Sequence, residues 1–201
     1  QNGGWKTGSG YNHGWGKSAA VSDAYILHAL CYIGERGLEK ELQAVSNEAL
    51  KSKDLYRLGL ATLANYHYEN ITDAKKMATL LFETIEEMGL DNLHADHSIT
   101  YSSGNALKAE ILGLAILVGL EAKTPDMAMI YKYSSKLISL RSGGYFGTTQ
   151  ATVWALKALT AIAIIDQKQS NEAGQIVVMI NGEEAFKEKL SNRALHNISA
   201  D

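Results

Sequence analysis

The stretch RSGGYFGTTQATVWALKAL, residues 141–159, joins a glycine-rich turn to an apolar helical pattern. Gly143 and Gly144 permit a sharp turn, because glycine adopts backbone angles that other residues avoid. Thr148 is placed to cap a helix, and the apolar residues after it recur at three- and four-residue spacing. The stretch therefore predicts a tight turn whose aromatic ring packs back on the following helix.

A second copy of this construction stands near the start of the chain. Gly3, Gly4 and Trp5 precede the helical pattern SDAYILHAL at residues 22–30. Two such turns, each followed by an Ala/Leu helix, indicate helical hairpins of like construction that lie side by side.

The rest of the chain is dominated by the helical period, which predicts seven helices with short connections. The predicted ranges are 21–34, 38–53, 54–69, 72–89, 106–122, 124–141 and 148–165, with Ser22, Asp54, Thr72 and Thr148 as caps, Gly34 and Gly89 as stops, and Pro125 in a first turn. Polar helices alternate with apolar ones, as two layers require, with inner helices buried and outer helices wet on one face. The predicted fold class is mainly α.

After residue 171 the period changes from helix to strand. Ile176–Ile180 is rich in β-favouring residues, and Asn181-Gly182 between two such runs is a strong hairpin signal. We therefore predict two domains, a helical domain at 1–171 and a β hairpin at 172–201.

Composition sets further bounds on function. The chain has 201 residues, of which 46% are hydrophobic, and a net charge of -3 without a basic stripe, which argues against a nucleic-acid partner. Its apolar stretches are too short to span a membrane. No signal peptide is visible and the first residue is Gln1, so we expect a piece of a longer protein. The single cysteine, Cys31, is interpreted as a small buried hydrophobe.

The pattern Thr-Gln-x-Thr-Val-x-Ala-Leu-x-Ala-Leu at residues 149–159 resembles the signature that ends the thioester-containing domain of the alpha-2-macroglobulin and complement family. The stretch ITYSSGNALKAEILGLAILVGLEA at 99–122 resembles the family's preceding helix. The start of the chain, QNGGW, resembles the segment that opens with Gln-Asn-Gly and an aromatic residue. The hairpin after Gly174 resembles the strand-turn-strand of a neighbouring CUB-like β domain.

This resemblance implies an α/α toroid, here a partial ring of helical hairpins, followed by the CUB-like hairpin. It implies a non-enzymatic module of a macroglobulin-type endopeptidase inhibitor of the bacterial type, without a cofactor. The domain would house, or descend from one that housed, an internal thioester that traps proteases or tags surfaces. The implied partners are proteases or target surfaces and other domains of the same chain, and the implied location is extracellular or periplasmic.

The thioester motif itself, Cys-x-Glu-Gln, is not in this sequence, because Cys31 is followed by Tyr32, Ile33 and Gly34. The resemblance places the motif upstream of Gln1, or the parent protein lacks it. In the complement branch, a histidine just past the glycine-aromatic turn attacks the thioester. Aligning Trp5 on that aromatic gives His13 this catalytic role, and a neutral imidazole is a suitable nucleophile. The alternative is that His13 belongs to an ordinary solvated turn.

Other candidate residues favour structural roles. His94, Asp96 and His97 are ligand types that zinc accepts, but their spacing fits no standard signature, so no metal site is predicted. Gln150 and its neighbouring threonines are expected to cap a helix, and His28 and His67 to pack within helices. The tyrosines could line a groove but are expected in the core with outward hydroxyls; they are Tyr56, Tyr66, Tyr68, Tyr131 and Tyr133.

An enzyme on the same α/α ring is the alternative function, with a terpene cyclase, a prenyltransferase and a glycosidase as the options. The Asp-rich cyclase motifs are missing, and a glycosidase would need paired carboxylates, for which Asp23, Asp91 and Asp96 are available. Since a full ring needs more helices than these seven, we also expect an open arc whose uncovered apolar face favours association.

Overall fold

A computed structural model describes Trp5 and residues 19–170, 174–180 and 183–190. The chain divides into two compact units, residues 1–159 and 160–201. Within the described ranges the fold is mainly α, as predicted. None of the described helices combines the length and apolar content needed to cross a bilayer.

Seven helices and two strands make up the described part of the chain. They are α1 (Ala19–Tyr32), α2 (Glu39–Ser52), α3 (Leu55–His67), α4 (Ile71–Met88), α5 (Gly104–Leu120), α6 (Met127–Ser139), α7 (Thr149–Ser170), β1 (Gly174–Ile180) and β2 (Glu183–Leu190). The strands pair antiparallel, with a register shift between Val178 and Met179. The turn residues Asn181 and Gly182 lie outside the described residues, and the domain boundary and CUB-like assignment stay predictions.

Three of the predicted helix ends are confirmed. The Asp54 carboxylate caps α3, because its Oδ1 accepts a hydrogen bond from the Arg57 backbone N–H at 2.9 Å. Gly89 ends α4 with a positive φ of 74°. The Thr148 hydroxyl accepts from the Ala151 N–H at 3.1 Å, in the N-capping position of α7.

Three other predicted ends are wrong. α1 begins at Ala19 rather than after Ser22, since alanine is a strong helix former and extends the helix upstream. α4 begins at Ile71 after Asn70, so Thr72 lies inside the helix. Pro125 precedes the cap of α6, because the Asp126 carboxylate accepts from Met129 N–H and starts the helix after the proline.

Burial separates the helices into two kinds, as the alternating pattern predicts. α3 buries every residue from Leu55 to Tyr66, and α5 buries most of its length. α2 buries only Leu42, Val45, Ser46 and Ala49, which share one helical face. α4 and α6 likewise bury a single face. The even-numbered helices are therefore amphipathic and cover helices that are more fully buried.

α5 packs closely against both α3 and α7, and it runs parallel to α7. On α3 and α5, a Cβ on Gly59 would lie 2.9 Å from Leu114 Cβ. On α5 and α7, a Cβ on Gly113 would lie 3.0 Å from Trp154, and Gly147 just ahead of α7 approaches Ala106. Because contacts between α5 and α7 advance together along both helices, the two point the same way.

α1 contacts both α3 and the first part of α7. The Gln150 amide donates to the Tyr25 hydroxyl at 3.2 Å, and further along Lys157 Nζ lies 5.1 Å from the centre of the Tyr32 ring. The first helix and the start of the last are thus parallel neighbours. The expected gap of an open arc between these two helices is not found, because these contacts join them.

Candidate functional site

The candidate site is the loop end, which we define as the starts of α1, α3, α5 and α7 with the loops 89–103 and 140–148. Since these helices pack side by side, and contacts show that α1 and α5 each run parallel to α7, their N-terminal ends lie together. The loop end holds five of the buried polar or charged side chains, which are Asp54, Arg57, Ser98, Ser102 and Glu110.

The turn that precedes α7 is built as the sequence indicates. Gly143, Gly144 and Gly147 all have positive φ, and Ser142 pairs with Tyr145 in an isolated β bridge. Phe146, next in the chain, is buried with 5% exposure. This turn therefore inserts its second aromatic ring into the core beside the start of α7.

The threonines at the start of α7 hold this turn, as predicted. Thr152 Oγ1 accepts from the Phe146 N–H at 3.2 Å and donates to the Thr148 carbonyl at 2.9 Å. Thr148 also shares a hydrogen bond of 3.2 Å with the Ser102 hydroxyl of the neighbouring loop. Gln150 points instead to Tyr25, so its amide joins α7 to α1 rather than capping its own helix.

Glu110 is the buried acid of the loop end. It lies on α5 with no exposed surface, and Ser98 Oγ donates to its Oε1 at 3.4 Å. Burial raises the pKa of the Glu110 carboxyl, more than the hydroxyls of Ser102 and Ser98 lower it. Ser98 Oγ also accepts the Ser102 N–H at 3.1 Å, so the acid is tied to the loop that contacts Thr148.

Three buried polar atoms that lack a hydrogen bond of standard geometry within the described structure belong to side chains that interact with one another. They are Tyr56 Oη on α3, Glu110 Oε2 on α5 and Trp154 Nε1 on α7. Burial raises the pKa of the Tyr56 hydroxyl, and the charge of Glu110 adds to that shift. Burial therefore disfavours the ionised form of Glu110, and the nearby hydroxyls partly oppose this effect.

Arg57 forms the ionic centre of the loop end. Its Nη2 donates to Asp96 Oδ2 at 2.7 Å, its Nε lies 3.5 Å from Asp54 Oδ1, and Nη1 lies 3.5 Å from Glu48 Oε1. Asp54 Oδ2 also accepts the Asp96 backbone N–H at 2.7 Å. The group fastens the loop after α4 to the start of α3.

The three residues of ligand types that zinc accepts each have a different partner. Asp96 pairs with Arg57, the His94 Nδ1 lies 3.1 Å from the Asn92 carbonyl, and His97 stacks on Tyr101 at 4.9 Å. Within the described ranges, no group of three or more histidine, cysteine or acidic side chains is arranged to hold a metal ion.

The carboxylates that a glycosidase would need have different partners. Asp23 Oδ1 accepts the Trp5 N–H at 3.3 Å, Asp91 forms an ion pair with Lys136, and Asp96 binds Arg57. Burial raises the pKa of Asp23, and the Trp5 hydrogen bond partly opposes this shift. No two of the three share a partner in the described contacts, so these contacts do not favour a catalytic pair.

The remaining candidates fall in different places. His13 lies outside the described residues, and its catalytic role stays a prediction. Cys31 is buried as expected, and burial raises its thiol pKa to about 11, which leaves it a poor nucleophile at neutral pH. The tyrosines that could line a groove differ in their exposure, since Tyr56 and Tyr133 are fully buried and Tyr131 is exposed.

We expect Glu110→Gln to keep the free energy of unfolding within about 1 kcal/mol of the parent at pH 4, because a carboxyl with a raised pKa is neutral there and glutamine resembles the neutral acid. A raised pKa means that the folded chain keeps its proton where the unfolded chain has lost it. This contribution to stability is full below about pH 4.5 and is lost as pH rises through the folded pKa. The variant should therefore lose less stability than the parent between pH 5 and 8, measured by urea unfolding.

Glu86→Gln is the control for this prediction. Glu86 is half exposed, and its hydrogen bond from Lys132 lowers its pKa, so its linkage has the opposite sign. A loss well above 1 kcal/mol for Glu110→Gln at pH 4, or an unchanged pH dependence, would contradict a raised pKa for Glu110.

Comparison with known proteins adds no relative: no family description, curated protein or solved structure matches this chain.

Glu110 is a buried polar residue that the sequence analysis does not predict. An acid inside the apolar run ALKAEILGLAIL was the available signal, since a charge in such a run needs a polar partner when buried.

Proposed function

We propose that this chain is a non-enzymatic helical module of a macroglobulin-type protease-trapping protein, with its helical hairpins arranged as an α/α ring. The observation that carries this proposal is the loop end, where a glycine-aromatic turn runs into a threonine-capped helix beside the start of α1. The layering of amphipathic helices over buried ones also supports it. In this proposal the parent protein acts outside the cytoplasm, in an extracellular or periplasmic space.

The contact of Trp5 supports the same proposal. Its backbone N–H binds Asp23 on α1, and Asp23 lies two residues before Tyr25, the partner of Gln150 on α7. The residue that aligns with the family's first aromatic therefore contacts the loop end. In a parent protein with an upstream thioester, His13 would serve as its nucleophile.

The reaction proposed for His13 has two steps, acylation of the imidazole and transfer of the acyl group to a hydroxyl. The imidazole attacks the thioester carbonyl, a C–N bond forms, and the C–S bond breaks to release a thiolate. A hydroxyl then attacks the acyl-imidazole, loses its proton to the thiolate and forms an ester, which restores the neutral imidazole.

The test is protease retention by the longer protein that carries this chain. The protein is incubated with a protease, and retention is measured by co-elution together with loss of activity on a large substrate but not on a small one. We expect retention, and the proposal fails if the protease elutes free and remains fully active on the large substrate.

Methylamine incorporation then separates the two forms of the proposal. A thioester takes up methylamine and releases one thiol, whereas a parent without the thioester motif takes up none. Where uptake occurs, His13→Ala should reduce transfer to glycerol at least tenfold and spare transfer to methylamine, because amines attack the thioester directly. The matched control is His94→Ala, which replaces an exposed loop histidine and should change neither transfer.

A further inference from the structure

The second concentration of titratable groups lies away from the loop end, where α1, α3 and α7 meet. We name it the imidazole cluster; it consists of His28, Tyr32, His67, Trp154 and Lys157. The His28 ring centre lies 5.8 Å from that of His67 and 5.4 Å from that of Trp154. Tyr32 in turn meets His67 edge-on at 5.3 Å. The cluster joins three helices through contacts between aromatic rings, with the Lys157 ammonium group beside two of them.

The cluster is buried at one side and open at the other. His28 is 6% exposed, whereas Tyr32 is 61% exposed. Burial, followed by the positive charges of His67 and Lys157, lowers the pKa of His28 to about 3. Burial also lowers the pKa of His67, where Glu121 opposes the shift and Lys157 adds to it.

Each helix around His28 contributes a facing group. They are Tyr32 from α1 itself, His67 from α3 and Lys157 from α7, while Glu121 at the end of α5 acts on His67. Lys157 Nζ lies 5.1 Å from the ring centres of both Tyr32 and Trp154. Its ammonium group therefore already occupies the aromatic faces that a protonated imidazole could otherwise use.

We propose that His28 and His67 form an acid-sensitive latch, which holds α1 on α3 and α7 while both imidazoles are neutral and loosens α1 when they take up protons. A proton on His28 would place a second positive charge within the rings that Lys157 covers. It would do so in a position with almost no access to water, so the protonated form favours the opened arrangement.

The direction of the pH effect follows from the lowered pKa. An opened or unfolded His28 titrates near 6.5, whereas the folded one stays neutral to about pH 3. The stability that the neutral imidazole contributes is complete above pH 6.5 and declines as pH falls below it. For His28 alone, the population of the opened state should rise about 25-fold between pH 7 and pH 5.

Opening of the latch would change the contacts that α1 makes at the loop end. Asp23 on α1 binds the backbone of Trp5, and Tyr25 binds Gln150 of α7. Loosening α1 would therefore weaken both contacts at the loop end. The latch does not depend on the proposed function, since it follows from the contacts of α1 in this chain.

The experiment is amide hydrogen exchange of the whole chain at pH 7, 6 and 5, corrected for the intrinsic exchange rate. Protection of α1 amides should fall about 25-fold from pH 7 to pH 5, relative to the amides of α4, which carries none of the cluster residues. In His28→Gln, which cannot take up this proton, the fall should be at least fivefold smaller. His94→Gln removes an exposed histidine and should behave as the parent does.

A titration of the parent chain needs no variant. The ring-proton NMR signals should include at least one histidine that stays neutral at pH 5, and its signal should be missing in His28→Gln. The proposal is overturned if every histidine titrates near pH 6.5, if α1 protection is the same at pH 5 and pH 7, or if His28→Gln keeps the full acid response. Lys157→Met removes the competing ammonium and should reduce the acid response of α1.

Discussion

Gly113→Val should lower the free energy of unfolding by about 3 kcal/mol, one of the two largest losses that the structure predicts. Even a single Cβ at this position would lie 3.0 Å from the backbone carbon and oxygen of Trp154, and backbone atoms cannot rotate away. The two γ-methyl groups of valine would force α5 and α7 apart. Urea unfolding at pH 7 measures the loss, which should appear as a lower midpoint with an unchanged slope.

Gly119→Ala is the matched control on the same helix. Its Cβ would lie 3.3 Å from Ile130 Cγ1, a side-chain atom that can shift. Alanine also gains about 1 kcal/mol of helix propensity over glycine. We expect the free energy of unfolding to change by no more than about 1 kcal/mol in Gly119→Ala. A loss in Gly113→Val no larger than that in Gly119→Ala would contradict the close contact of α5 and α7 at Gly113.

Arg57→Met should lower the free energy of unfolding by about 3 kcal/mol, because it leaves the buried Asp54 carboxylate without its cation. The Asp54 side chain is only 4% exposed and keeps two backbone N–H donors, those of Arg57 and Asp96. Methionine fills a similar volume, so the loss reports the charge rather than a cavity.

A double-mutant cycle separates these effects. Asp54→Asn removes the buried charge and retains an N-capping side chain. We expect the double variant to be more stable than Arg57→Met alone, with a coupling energy above about 1 kcal/mol. Additive losses in the cycle would mean that the two side chains act independently.

Local signals allowed much of the fold to be predicted from the sequence. Asp54 caps α3 through a residue three positions away, and Gly89 ends α4 through its own backbone angle, so both effects are confined to one turn. The same locality explains the alternation of buried and amphipathic helices. The errors at Ser22 and Thr72 arose where another nearby residue was an equally good start.

The contacts between distant helices could not be predicted in this way. Gln150 and Tyr25 are 125 positions apart, and no period in the sequence relates them. The sequence predicts packing roles for His28 and His67, but only the approach of α1 to α3 makes them a pair. Glu110 carried a local signal, and its partners Ser98 and Ser102 lie in a loop without periodic pattern.

The burial of Cys31 has a practical consequence for labelling chemistry. Cys31 is the single cysteine among the 201 residues. Because its thiol is buried and has a raised pKa, it should react with maleimides or disulfide reagents only when α1 opens. A cysteine introduced at an exposed site would then take up a fluorophore selectively. The rate of the slow reaction at Cys31 would then measure how often α1 opens.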